Sequence, residues 1–414
     1  MGLKLNQLLF AYENLTSNDV SDTINANKLI QQILKATRVQ FNMEVAFVSR
    51  FIDNARVFQY VDSGNNVDII SIGDSDPLEE SYCYLVAKGI TPELLTDAQK
   101  EPSVAHLAAT KAVPVGAHMS VPIILPDGNC FGTFCVFSRS ADESLGKIDL
   151  ESFRLISQIV TNLLSDIAQT QLQFDEIRTK VAYIITENKT SLAFQPIVNI
   201  NSPDTTIVGF EALCRIDGVN WHPNELFDKA ILVGLSIELN QKIVNAAFSY
   251  LDQLKQHQYI AINLTPDFII SDEFLDLFKN RDLHQVVIEI TEHIAVSNYP
   301  KMMEHLRVVK TSGARIAIDD VGAGYSSFRH ILQLHPDIIK IDRSLIEIID
   351  QDIEKQRLLK AILLFANQME YKVVAEGVET KAELRTLHQS GVNLVQGFYF
   401  AKPQILSNLD HFEF

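Results

Sequence analysis

From about residue 181 onward, short apolar runs alternate with longer amphipathic stretches. The runs LAFQPIV, IVGFEAL, YIAINL, QVVIEI, RIAIDD, IIKID, KVVAEG and LVQGFYF have the length and β-branched content of buried strands. Helical spacing fills most of the gaps, notably over residues 227–256, 300–312 and 352–370. Eight strands with intervening helices over roughly 230 residues predict an α/β fold of the (β/α)8 barrel type.

Residues 18–140 carry a different pattern. An amphipathic stretch over 21–41 precedes the strand-like MEVAFVSRF and VFQYVDS, and a helical segment follows near 79–88. The sheet resumes with MSVPIIL and LPDGNCFGTFCVF, where Asp127–Gly128 between two apolar runs signals a hairpin turn. The expected organisation is an α+β domain over 1–147, one long helix over 148–176, and the barrel over 177–414. In that helix Phe153, Ile156, Val160, Leu163 and Ile167 alternate steps of three and four. Such a seam fits a helix lying on its own domain, or a coiled coil between two copies of the chain.

The barrel's strands end on polar residues, and catalytic groups of such barrels lie at the C-terminal ends of strands. Glu211, Asn263, Glu289, Glu292, Asp319, Asp320, Lys340, Asp342, Glu376 and Glu379 stand at or just after these apolar runs. One such carboxylate is ordinarily solvated or salt-bridged. Gathered in one place they demand cations, and all-oxygen donor sets suit Mg2+ or Mn2+. Asp319 and Asp320 are neighbours, so both reach one site only where the backbone turns, a task suited to Gly322 and Gly324. Lys340, between Ile339 and Ile341, needs anionic company: a plain ion pair with Asp342 or another acid, or a developing charge on phosphate. Glu376 before Gly377 is placed to take a proton from an activated water. Gln195 and Gln396 either hydrogen-bond a nucleobase or cap their strands.

Composition narrows the classes. A net charge of −17 over 414 residues argues against nucleic-acid binding, but not against a small anion drawn in by bound cations. No apolar run approaches bilayer length, and MGLKLNQLLFAYENL lacks the form of a secretory signal, so no membrane association is expected. Cys83, Cys130, Cys135 and Cys214 have no metal-finger spacing, which fits a cytoplasmic protein with reduced thiols.

The order FQPIV, EALCR, INLT, EITE, DDVGAGYSS, KID, AEGVE and QGFYFAKP over residues 181–410 resembles the EAL-domain family of cyclic di-GMP phosphodiesterases. The resemblance implies a modified TIM-like barrel whose first strand runs opposite to the rest. It implies two Mg2+ or Mn2+ ions, with Glu211, Asn263, Glu289 and Asp319 on one, and Asp319 with Asp320 bearing on the second. It implies hydrolysis of cyclic di-GMP to linear pGpG, with Glu376 as general base and Lys340 beside the attacking water. Gln195, Leu213, Arg215, Asp342, Glu379 and Gln396 match positions that orient substrate or metal, and Glu292 matches the glutamate anchoring the loop 320–328. Val321 departs from the family's usual Phe, Thr265 from its more common Ser, and Ala323 and Phe328 also vary. The alternative activity is that of a non-hydrolytic cyclic di-GMP receptor signalling by contact.

Residues 18–140, through SYCYLVAKGITPELLTDAQKEP and MSVPIIL with GNCFGTFCVFS, resemble a GAF domain, a sensor module of varied ligands. That resemblance implies regulation of the barrel and a homodimer, and names no ligand. Cys83 is expected to be a buried small residue, and His106 and His118 carry no assigned role.

Overall fold

The structure, a computed structural model, describes residues 20–65, 67–201, 205–290, 296–322, 326–409 and 412. The chain divides into two compact units, Met1–Phe174 and Asp175–Phe414.

In the first unit β1 (Val45–Ile52), β2 (Ala55–Ser63), β3 (Ser75–Pro77), β4 (Leu94–Leu95), β5 (His118–Ile124) and β6 (Cys130–Phe137) form one antiparallel sheet. Its order is β3-β2-β1-β6-β5-β4. Alternation along β6 sorts the sheet's two faces. Phe134 and Val136 join Ile30 and Leu34 of the helix Val20–Gln40 and Phe153 of the helix Lys147–Thr186, whereas Cys135 and Phe137 join Phe47, Phe58 and Cys83. Gly132 is required where β1 and β6 meet, because a Cβ there would lie 1.9 Å from the Ser49 carbonyl oxygen.

The long helix, Lys147–Thr186, extends beyond the span its seam predicts. Phe153, Ile156, Val160 and Leu163 are buried against the sheet of their own unit, with Ile167 partly buried beside them. The seam is thus filled from within one chain and is not open to a second copy.

The second unit is a closed barrel of β7 (Thr190–Asn199), β8 (Thr206–Ile216), β9 (Ile260–Leu264), β10 (Val286–Ile290), β11 (Arg315–Val321), β12 (Ile338–Ile341), β13 (Lys372–Ala375) and β14 (Leu394–Val395). Around it the order is β10-β11-β12-β13-β14-β7-β8-β9. β7 runs antiparallel to β8 and to β14, and every other pairing is parallel. Inside, an apolar layer contains Tyr259, Ala261, Val287, Ala317, Ile338 and Val374. Two residues beyond five of these, on the same face by strand periodicity, come Asn263, Glu289, Asp319, Lys340 and Glu376. The polar layer therefore rests on a hydrophobic floor.

The stretch 227–256, expected as one helix, is two, Pro223–Leu232 and Ser236–Phe248. Gly234 breaks it in the left-handed region, at φ 71°. No helix among the described residues is long and apolar enough to cross a membrane.

Candidate active site

Lys340 organises the polar layer. Its Nζ lies 3.2 Å from Glu211 Oε1, 2.9 Å from Glu289 Oε2, 3.2 Å from Asp319 Oδ1 and 2.7 Å from Glu376 Oε1. These four carboxylates come from β8, β10, β11 and the residue after β13, and the ammonium is only 1% exposed. Asp342, the nearest acid in sequence, is not among them. Its carboxylate accepts from Ser344 N at 2.9 Å and caps the helix Arg343–Ile346.

Amides complete the shell. Asn263 Nδ2 donates to Glu211 Oε1 at 2.9 Å, and Gln396 Nε2 donates to Glu211 Oε2 at 2.6 Å and to Gln195 Oε1 at 2.9 Å. Gln195 Nε2 in turn donates to the Ala401 carbonyl at 3.1 Å. Gln195 and Gln396 thus orient Glu211, with all the hydrogen-bonding partners found for them inside the protein.

One ammonium does not balance this much buried negative charge. Burial, set against Lys340 and reinforced by neighbouring acids, raises the Glu289 carboxyl well above its ordinary range. Burial and the Asp319 charge do the same at Glu376, and burial with the Glu211 charge raises Asp319 against Lys340. Glu211 alone is lowered: burial opposes ionisation there, but Lys340 and the two amide donors outweigh it. Lys340 itself is driven well up, its four acids overcoming desolvation.

The donor set fits hard divalent cations. Glu211, Glu289 and Asp319 bring carboxylate oxygens within 4.8 Å of one another, as do Asp319, Asp320 and Glu376. Buried Asn263 Oδ1, Asp319 Oδ1 and Glu376 Oε1 accept no hydrogen bond, although the last two lie within ion-pair distance of Lys340. Oxygen ligands of this kind suit Mg2+ or Mn2+. The turn that presents both aspartates starts earlier than the glycines suggest. Asp320 itself is left-handed at φ 55°, and the β11–β12 register shifts between Ile318 and Val321. Gly322 follows at φ 114°, and Gly324 lies outside the described residues.

A cavity of about 700 Å3 opens over this layer, lined by Glu211, Leu213, Arg215, Asn263, Asp319 and Asp320 among others. Arg215 is held by its own strand, donating to the Cys214 carbonyl at 2.8 Å. Glu379 is not among the clustered carboxylates and pairs with Arg343 at 3.0 Å, and Glu292 lies outside the described residues. Glu211 and Gln195 sit within long strands rather than at their ends, facing one another across the β7–β8 pair. The sequence reading missed the far wall, where His222, Asn224, Phe227 and Asp228 line the same cavity. Helical spacing of Asn224, Phe227 and Asp228 marks that face, but only a folded barrel turns it toward Glu211. Thr265, also on the wall, bonds Asn240 Nδ2 through its hydroxyl at 2.9 Å, and Val321 is fully buried.

A family model described as EAL domain matches residues 176–403, more than half of the chain. The chain is 34% identical over 224 residues to a probable cyclic di-GMP phosphodiesterase, PdeG, of Escherichia coli strain K12, covering 51% of this chain and 44% of that protein. The probable cyclic di-GMP phosphodiesterase PdeB of the same organism is 28% identical over 332 residues, 77% of this chain and 57% of the relative. The chain thus spans about half the length of the curated relatives it matches. Among solved structures, an EAL domain protein from Listeria monocytogenes EGD-e is similar at 28% identity and a TM-score of 0.50, over 55% of this chain and 94% of that one. A complex of the PaMucR phosphodiesterase with c-di-GMP is similar at 26% identity and a TM-score of 0.50, over 55% of this chain and 97% of the other.

Proposed function

The chain belongs to the EAL domain family, and from that premise we propose that it hydrolyses cyclic di-GMP to linear pGpG with two divalent cations, Mg2+ or Mn2+. The observation that carries this reading is the shell of four carboxylates from separate parts of the barrel, all within 3.2 Å of one buried ammonium. Glu211, Asn263, Glu289 and Asp319 would hold one ion, and Asp319 with Asp320 would bear on the second. Bound there, such ions supply positive charge against the attacking and leaving oxygens of a phosphodiester.

The chain's own groups do the rest. Glu376 accepts the proton of the attacking water at its carboxylate, and its raised affinity for protons suits that task. Lys340, 2.7 Å from that carboxylate, aligns it and opposes negative charge growing on the phosphate. Gln195 and Gln396 fix Glu211 so that its oxygens do not need to reorganise. Leu213 and Arg215 line the cavity that takes the nucleotide, and Asp342 and Glu379 assist from its side, with Glu292 anchoring the loop 320–328. Incubating purified protein with cyclic di-GMP and either metal should give pGpG by chromatography; absence of turnover with both metals overturns the reading.

The first unit is proposed as a GAF-like regulator, a view supported by its antiparallel sheet packed against helices on a face. Turnover should then differ clearly between the full chain and residues 177–414, and equal rates would refute control. A homodimer belongs to the same proposal, with the exposed Ile148 and Leu155, one heptad apart, as apolar surface still free on the long helix. Light scattering that reports a monomer at micromolar concentration would dismiss it. Four free cysteines favour a cytoplasmic location, to be checked by cell fractionation.

A further inference from the structure

The first unit buries a second charged cluster, unrelated to the barrel chemistry. Arg56, on β2, is 7% exposed. Its Nε donates to Asp76 Oδ1 at 2.8 Å, its Nη2 pairs with the other Asp76 oxygen, and its Nη1 donates to Cys83 Sγ at 3.2 Å. Cys83, in the helix Tyr82–Ala87, faces Cys135 on β6, with the two sulfurs 3.5 Å apart. Hydroxyls surround the second sulfur: Ser120 Oγ at 3.1 Å and Thr133 Oγ1 at 3.0 Å. A guanidinium, two sulfurs in contact and two hydroxyls are unusual furniture for an apolar core. Packing alone would be served as well by alanine or valine.

We propose that Cys83 and Cys135 are a reversible redox pair, in which Cys83 attacks a hydroperoxide and Cys135 closes a disulfide onto it. The Cys83 sulfur attacks one peroxide oxygen and the O–O bond breaks. The alcohol, or water, leaves with the proton Cys83 had given up, and Cys83 becomes a sulfenic acid, oxidised by two electrons. The Cys135 sulfur then attacks the Cys83 sulfur, the S–O bond breaks, and the hydroxide departs as water with the Cys135 proton. Two thiols and one hydroperoxide become a disulfide, an alcohol and a water. Forming the bond closes the sulfurs from 3.5 Å to about 2.05 Å, a shift within reach of side-chain rotation.

The surroundings assign the two roles. Burial opposes a charge on Cys83, but the Cys135 hydrogen bond and Arg56 outweigh it and hold the thiol down to about 5. Cys135 is pushed up by burial and by its neighbour's charge, so it stays a thiol and donates to Cys83. Nucleophile and resolving thiol are thereby distinct. Cys130 makes the useful contrast: it is exposed, yet desolvation raises its thiol and the Lys88 charge does not offset that. Accessibility favours oxidation at Cys130, whereas thiolate character favours Cys83, which is fully buried, so local opening is required to admit the peroxide.

The test treats the full chain with one equivalent of hydrogen peroxide, alkylates the remaining thiols after unfolding, and maps the peptides by mass spectrometry. The expected product is a Cys83–Cys135 linked peptide, lighter by two hydrogens, with Cys130 and Cys214 alkylated and dithiothreitol restoring both thiols. Cys135→Ser should halt the reaction at a sulfenic acid on Cys83 that dimedone traps. Cys83→Ser should leave Cys135 reduced. Oxidation of Cys130 ahead of Cys83, or full alkylation of both members of the pair, overturns the proposal. The wild-type map decides this even where a variant does not fold, and its outcome is independent of any activity of the barrel.

Discussion

Each unit buries a cation, and the two are compensated in opposite ways. Lys340 has four carboxylates within 3.2 Å, an excess of negative charge in a closed barrel. Arg56 has one carboxylate, Asp76, together with a sulfur and the face of Phe58 at 4.5 Å. The second arrangement is balanced within the protein, and it shows no grouping of acids that calls for a metal among the described residues. The first is complete only when further positive charge arrives. A buried ion pair contributes little net stability by itself, so an uncompensated surplus points toward function rather than toward folding.

The largest effect expected is on turnover. Glu376→Gln keeps the shape of the shell but removes the proton acceptor, so kcat should fall by about 10²–10⁴-fold while nucleotide binding persists. Steady-state kinetics and calorimetry check this together, and unchanged kcat would assign the base elsewhere.

Stability separates the two cations next. Lys340→Met leaves four buried acids without their counter-charge and should cost about 3–5 kcal/mol in the metal-free protein, recovered in part by Mn2+. Arg56→Met should cost about 1–3 kcal/mol, because Asp76 is a third exposed and water screens it, and Mn2+ should not restore it. Urea unfolding measures both. Equal costs would erase the difference between the two cations.

The smallest effect is a pair of opposing pH slopes. Glu289, Glu376 and Asp319 have folded proton affinities raised above their unfolded values. Their contribution is fully present below the ordinary carboxyl value of 4.5 (3.8 for Asp319) and is lost as pH rises through the raised values. The metal-free barrel should therefore melt lower as pH climbs above the ordinary carboxyl range, and Mn2+ should flatten that slope. His118 runs the other way. Burial first, and Arg56 second, hold it down to about 3 from an ordinary 6.5, so its contribution is present above 6.5 and lost as pH falls toward 3. Calorimetry at several pH values follows both transitions; a barrel slope equally steep with and without metal would break the scheme.

Legibility in the sequence followed the range of the interactions. Barrel strands showed themselves as apolar runs because both faces of a parallel strand are buried, and Lys340 stood out between two isoleucines for that reason. Its partners were harder to place, since Asp342 is nearest in sequence but is used to cap the next helix. The cavity's far wall was missed because helical spacing was read only from residue 227, and the closed barrel, not neighbouring residues, sets which side of that helix turns toward Glu211. The seam on the long helix was legible as a stripe, while the sequence left its occupant open; the sheet of the same unit fills it.

By itself the sequence determined the apolar runs that become the barrel strands and which polar groups interrupt or end them. Periodicity and burial are local properties, written in neighbouring residues. Only the tertiary structure decided that residues as distant as 211, 289, 319 and 376 surround one ammonium, and that Cys83 meets Cys135. Charge balance and sulfur contact depend on distances across the closed barrel and the folded sheet, which no single segment contains.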